Sequence, residues 1–359
     1  MPGRGSGSPV PEATLDEPAR ARQLSSRPGS PTSATASGRT ATVLGWAWVL
    51  ALLALAVGLV SLRTLDGPTL TQQSLAAALG VILAIGLARR SGGRASTSAA
   101  LAVIVGGTAV TTQWEFLLAG AAVATAVLAA CLAVLATRPA PTGLTMLREL
   151  VVALLVASAG GLGAAGFAVR LDNERFAYTV LGVTVVATTA LVYRLAGGLH
   201  SLGTRGLILA AGALALLVIV LVYTAALTRY GSPELILEVQ KAQNWTREHL
   251  GAVPHPVEVL IGIPALAWGV SMRAHRRQGW WACVFGTAAT AHVASDLING
   301  SGLGLGTTLA AAYSILLGLL IGFAFIRVEH LLTGRGGRRA AAYPSEAQRE
   351  EPGRLQPLL

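Results

Sequence analysis

Residues 116–137 read FLLAGAAVATAVLAACLAVLAT, an uncharged run between Glu115 and Arg138 built almost wholly from Ala, Val and Leu. At about 1.5 Å of rise per residue, a helix of this length covers roughly 33 Å, enough to cross a hydrocarbon core of about 30 Å. A soluble domain has little use for such a stretch, because no face of it can meet water.

The flanks repeat the pattern. Apolar segments fall near 42–62, 72–88, 96–112, 116–137, 149–169, 176–194, 206–227, 257–272, 279–299 and 307–327. The third, STSAALAVIVGGTAVTT, is the weakest, with Gly106 and Gly107 at its middle. Hydrophobic residues make up 53% of the chain and charged ones 12%, against about 25% charged in ordinary soluble domains. The expectation is an all-α, polytopic transmembrane helical bundle of about ten spans over 41–332. Residues 1–40 and 333–359 are rich in Pro, Gly, Ser and Arg and read as disordered tails, since they cannot bury enough surface to offset ordering entropy. The first tail is not a secretory signal, because a polar stretch of this length precedes the first apolar run.

The net charge of +10 does not point to nucleic acid, because the basic residues gather at the ends of apolar segments. With the amino terminus inside, the inner loops hold Arg89, Arg90, Arg94, Arg138, Arg148, Arg194, Arg205, Arg273, Arg276 and Arg277, and both tails are Arg-rich. The outer loops hold Arg63, Arg170, Arg175, Arg229, Lys241 and Arg247. That asymmetry follows the positive-inside rule and places both termini in the cytoplasm. Arg335, Arg338 and Arg339 follow the last span. They read most simply as a positive-inside anchor, and more sharply as a contact for anionic lipid headgroups.

The one long outer connection, 228–256, contains a helix signal over 233–250. Ser232 suits the N-cap and Pro233 the first turn, and Gly251 can end the helix. Leu235, Val239, Ala242, Thr246 and Leu250 share one face, so a short amphipathic helix is expected at the outer interface or over the bundle, with Trp245 suited to anchor it at headgroup level.

Few residues carry chemistry. Gly161, Gly163 and Gly166 match a dinucleotide fingerprint by letter, but they sit inside an apolar helix with no strand before them, so close helix packing is the reading. Gly318 and Gly322 form a GxxxG of the same kind. Cys131 and Cys283 lie within apolar segments and read as small buried side chains. His292 and Asp296 are four residues apart in the ninth span and so share a helix face near its outer end. Glu258 opens the eighth span on the same side, just after His255. Such a group can relay protons or bind an ion; the simpler reading is a His–Asp hydrogen bond stapling helix ends. His249 and His255 are outside too, but no recognised ligand spacing occurs, so no metal is expected. No cofactor or catalytic motif is found.

Four stretches carry a resemblance: YRLAGGLHSLGTRGL, LTRYGSPELI, HLGAVPHPVEVLIGIPALAWGVSMRAHRRQGWWACVFG and GFAFIRVEHLLTG, within about 191–339. They resemble a group of multi-pass integral membrane proteins common in actinobacteria. The resemblance covers under half the chain. It implies a cell-membrane location and no activity. The functional expectation is a membrane component of unspecified activity, with a small-solute transporter or an envelope scaffold as alternatives. A transporter of charged solutes needs polar groups near mid-membrane, and beyond His292 this chain offers little more than Thr188, Thr189, Thr287 and Thr290.

Overall fold

The computed structural model describes residues 32–170, 172–195, 203–230, 233–274, 279–298, 305–332 and 351–358. Among them every regular element is helical. In chain order these are α1 (Thr32–Thr64), α2 (Thr69–Arg90), α3 (Ala95–Thr112), α4 (Glu115–Leu135), α5 (Gly143–Gly166), α6 (Asn173–Leu195), α7 (Gly203–Tyr230) and α8 (Pro233–Leu250). A π turn over Glu258–Gly262 then leads into α9 (Ile263–Arg273), followed by α10 (Gly279–Asp296) and α11 (Leu305–Leu332). The chain divides into two units, Met1–Trp46 and Ala47–Leu359. In the first, the described part is the opening of α1, which reaches back into the segment expected to be a tail. All packing below belongs to the second.

Among the described residues seven helices are long and apolar enough to cross a membrane: Val43–Thr64, α2, α3, α4, α5, α6 and Gly306–Leu331. The expectation of ten exceeds this, for three local reasons. The segment at 206–227 lies in α7, whose described apolar stretch is Ala210–Val222. The segment at 257–272 is split between the π turn and the 11-residue α9. The segment at 279–299 ends as a helix at Asp296 and carries two Trp, His292 and Asp296, which lower its hydropathy.

The core lies between α2, α4, α5, α6, α9 and α10. It is made of small residues: Ala122, Ala126, Ala129, Ala130 and Ala133 of α4 are all fully buried. Between helices in lipid there is little hydrophobic drive, so close backbone approach and dispersion contacts hold the bundle together. Gly160 faces Ala129 with no room for a Cβ. On Gly161, Gly163 and Gly166 a Cβ would press on Ala294 O at 2.8 Å, Leu79 at 2.9 Å and Leu59 at 2.8 Å. On Gly318 it would meet Ile263 at 2.7 Å, and on Gly322 Ala267 at 3.1 Å. The π turn and α9 also pack closely on α10. Gly262 abuts Ala289, Gly269 abuts Cys283 and Gly286 abuts Leu266. The outward faces carry exposed Leu53, Val57, Leu101, Ile104, Leu155, Val186, Leu320 and Phe325, the surface expected against acyl chains.

Two ends can be told apart. At one, Gln73 donates to Phe167 O at 3.2 Å and accepts from Gln113 at 2.7 Å, and here α9 begins and α10 ends. At the other, Arg90, Arg138, Glu149 and Arg273 gather. Residues 351–358, within the stretch read as a tail, lie against this second end. Arg335, Arg338 and Arg339 fall outside the described residues.

The amphipathic helix is present as α8, and Gly251 closes it in the left-handed region at φ +77. That conformation costs a side chain roughly 1–2 kcal/mol, which is why glycine ends the helix there. Its apolar face is only partly covered: Val239 and Thr246 are half-buried, and Ala242 and Leu250 are exposed.

Candidate functional site

The backbone around Pro264 positions the site. A proline in a helix interior lacks the N–H for its turn, and its ring crowds the carbonyl four residues back. Here the turn before it widens into the π helix Glu258–Gly262, where Ile263 N–H bonds Glu258 O. Single π turns of this kind recur at functional sites because they re-aim a side chain. Glu258 is the residue re-aimed. It is 1% exposed.

Four side chains converge there. His255 Nδ1 lies 3.4 Å from Glu258 Oε2 and 3.3 Å from Asp296 Oδ2. His292 Nδ1 lies 3.3 Å from Asp296 Oδ1, and the two imidazole rings are 4.4 Å apart. One ligand atom from each of the four falls within 4.8 Å of the others. His255 is fixed from behind, its backbone N–H donating to the buried Ser314 Oγ of α11 at 2.8 Å. His255, His292 and Asp296 are partly open, with side chains 26%, 29% and 17% exposed, so the cluster has a mouth.

The separations bear on two chemistries, a hydrogen-bonded network and a seat for an ion. Charge-assisted N–H···O bonds settle at about 2.7–2.9 Å, and the contacts here are all longer. A tetrahedral ion held at about 2.0–2.1 Å spaces its ligand atoms about 3.3–3.4 Å apart; the three contacts match that edge through both oxygens of Asp296, and the whole group spreads to 4.8 Å. Glu258 Oε1, moreover, is buried and has no hydrogen-bond partner. A buried carboxylate oxygen without a partner is costly. An ion seated among these groups would answer it. Two imidazoles and two carboxylates suit a borderline divalent ion such as zinc better than calcium or magnesium, which prefer all-oxygen cages. Burial works against charge on His255. The hydrogen bond to Glu258 and the charges of Asp296 and Glu258 outweigh it and hold the imidazole above its ordinary value.

The structure thus brings together the three residues singled out in the sequence, His292, Asp296 and Glu258. It adds His255 as their hub. His255 lacks a ligand spacing legible in sequence, because its partners come from a π turn and from the far end of another helix. His249 is not part of the group and stacks on Trp245 at 4.6 Å.

Among the described residues the middle of the bundle holds no comparable group. Thr188 donates to Cys131 Sγ at 3.3 Å, Thr290 to Ala130 O at 3.1 Å and Thr287 to Val284 O at 2.5 Å, each within the packed core. An open groove of about 580 Å³, bordered by Ala84, Leu101, Val105 and Val127, has no titratable side chain among its lining residues. Comparison with protein-family models, curated proteins and solved structures returns no match.

Proposed function

We propose that this chain is a ten-crossing protein of the bacterial plasma membrane, with both termini cytoplasmic, that captures a divalent transition-metal ion at its outer face. One observation carries the cation: Glu258, buried with an unpartnered oxygen, in a group of two imidazoles and two carboxylates whose ligand atoms lie within 4.8 Å of one another. The resemblance of 191–339 to the actinobacterial group supports the location. The ten crossings are supported by the setting of α9 and α10. These helices pack against α4, α5, α6 and α11, so protein rather than lipid covers them and lipid-grade hydropathy is not required. The arginine distribution supports the orientation.

The test is stoichiometry. Full-length protein in nanodiscs, equilibrated with zinc and freed of excess, is expected to hold one zinc per chain by elemental analysis. Glu258→Gln combined with His292→Gln is expected to hold none while keeping its helical circular dichroism. Equal zinc in both would reject the reading.

Transport is the second reading, favoured by the mouth of the site. Among the described residues the core threonines Thr188, Thr287 and Thr290 are hydrogen-bonded within the packing, which weighs against passage. Uptake of zinc into proteoliposomes separates capture alone from passage.

A further inference from the structure

Residues Glu351–Leu358, EPGRLQPL, occupy a built groove at the end of the bundle away from the histidine cluster. Glu258 and Arg273 bracket one helical run, roughly 22 Å apart at about 1.5 Å per residue. In that groove Arg90 and Arg273 have fully buried side chains. Glu351 pairs with both: it accepts from Arg273 Nε at 3.3 Å and from its terminal nitrogen at 2.5 Å, and lies 3.8 Å from Arg90. Arg273 also donates to Thr137 Oγ1 at 2.7 Å and lies over the Trp280 ring at 3.5 Å. Charge is matched in the opposite sense three residues further on. Arg354 donates to both oxygens of the buried Glu149, at 2.5 and 2.6 Å, and to Ala136 O at 3.1 Å.

The backbone of the segment is recognised as well. Arg90 donates to the carbonyls of Pro352, Gly353 and Gln356 at 3.3, 2.8 and 3.2 Å, and Leu358 N–H returns a bond to Arg90 O at 3.1 Å. The segment also folds on itself, with Gly353 N–H to Gln356 Oε1 at 2.8 Å and Gln356 N–H to Gly353 O at 2.9 Å. That self-made turn lowers the ordering cost of docking. Leu358 packs on the core as its apolar end.

We propose that Glu351–Leu358 is a tethered peptide ligand of this groove, an exchangeable latch clamping the end of α9 to α2, α4 and α5. Residues 333–350 join it to α11, and a polar connection of that length makes docking an intramolecular binding step with an effective concentration in the millimolar range. The latch grips Arg273, at the foot of the hairpin that carries Glu258 and Asp296 at its head. The inference does not depend on what the head binds.

The test uses the full chain in nanodiscs with Leu358→Cys and a soluble maleimide. Cys131 and Cys283 are buried, and the unsubstituted protein serves as their blank. Labelling is expected to be slow. It is expected to quicken on the order of tenfold or more when Glu351→Gln and Arg354→Gln are added, because buried charge pairs are lost. Free peptide EPGRLQPLL at concentrations above the tether's is expected to quicken it too, by taking the groove in trans. Fast labelling in every sample would mean that the segment does not dock. Slow labelling that the peptide leaves unchanged would mean a fixed structural element. Either result overturns the latch.

Discussion

Glu258 concentrates the chemistry in one residue. Its buried, unpartnered oxygen makes it a liability without an ion and a ligand with one. Glu258→Gln is therefore expected to act in opposite directions. Metal-free protein should unfold at a higher temperature, since a buried carboxylate with one unpartnered oxygen and only the long 3.4 Å contact to His255 on the other has been made neutral. The stabilisation that zinc gives the native chain should vanish, because that gain follows binding. Thermal unfolding of both proteins with and without zinc reads both effects; a variant still stabilised by zinc would acquit Glu258. Acidity should compete with the ion. His255 is held above the ordinary imidazole value, so its proton stays on to higher pH. Zinc affinity should fall as pH drops through that raised value, and titration calorimetry at several pH values checks it. At this scale the sequence was partly legible. The spacing of His292 and Asp296 gave a shared face, and Glu258 was near. His255 was noted beside Glu258 and on the outer side, but its place between Glu258 and Asp296 was not legible, because those contacts depend on a turn that periodicity does not describe. The Arg90–Glu351 pairing was hidden for a like reason: charges at helix ends read as orientation signals, and nothing local tells which distant carboxylate they meet.

Helices were the most legible level, because an uncharged run of membrane length has few other uses. The exceptions are instructive. The eighth segment looked like one helix, yet Pro264 breaks it into a π turn and α9. Pro264→Ala is expected to let Glu258–Gly262 relax toward α geometry and turn Glu258 away. Zinc affinity should drop by roughly 10–100-fold, the scale of misplaced ligand support, with the fold intact; unchanged affinity would show that the π turn does not aim the ligand. The helix α8 was foreseen from its caps and its apolar face, but its docking was not: much of that face stays open in the protein alone. Lipid is the expected cover. Val239→Asp is therefore expected to raise hydrogen exchange across 233–250 in nanodiscs and to leave it little changed in detergent-free peptide. Fast exchange in native protein would mean that the segment is not held at an interface.

In the whole molecule, the two ends of the bundle carry different groups. Loops assigned to one side by their arginines supply Arg90, Arg138, Arg148 and Arg273, and these meet at one end of the bundle with Glu351 and Arg354. The number of crossings was less legible. Span length and hydropathy report contact with lipid, and α9 and α10 are enclosed by other helices. Labelling of single cysteines from outside is expected to reach position 240 and miss position 92, and the reverse would invert the topology. The most direct measurement joins topology to chemistry. Full-length protein is reconstituted in sealed vesicles with position 240 outward, and cobalt is added only to the outside. The expected result is the visible absorption of four-coordinate cobalt, saturating at one ion per chain and absent in Glu258→Gln with His292→Gln. No such band, or the same band in the double variant, would contradict an outward cation site built by these residues.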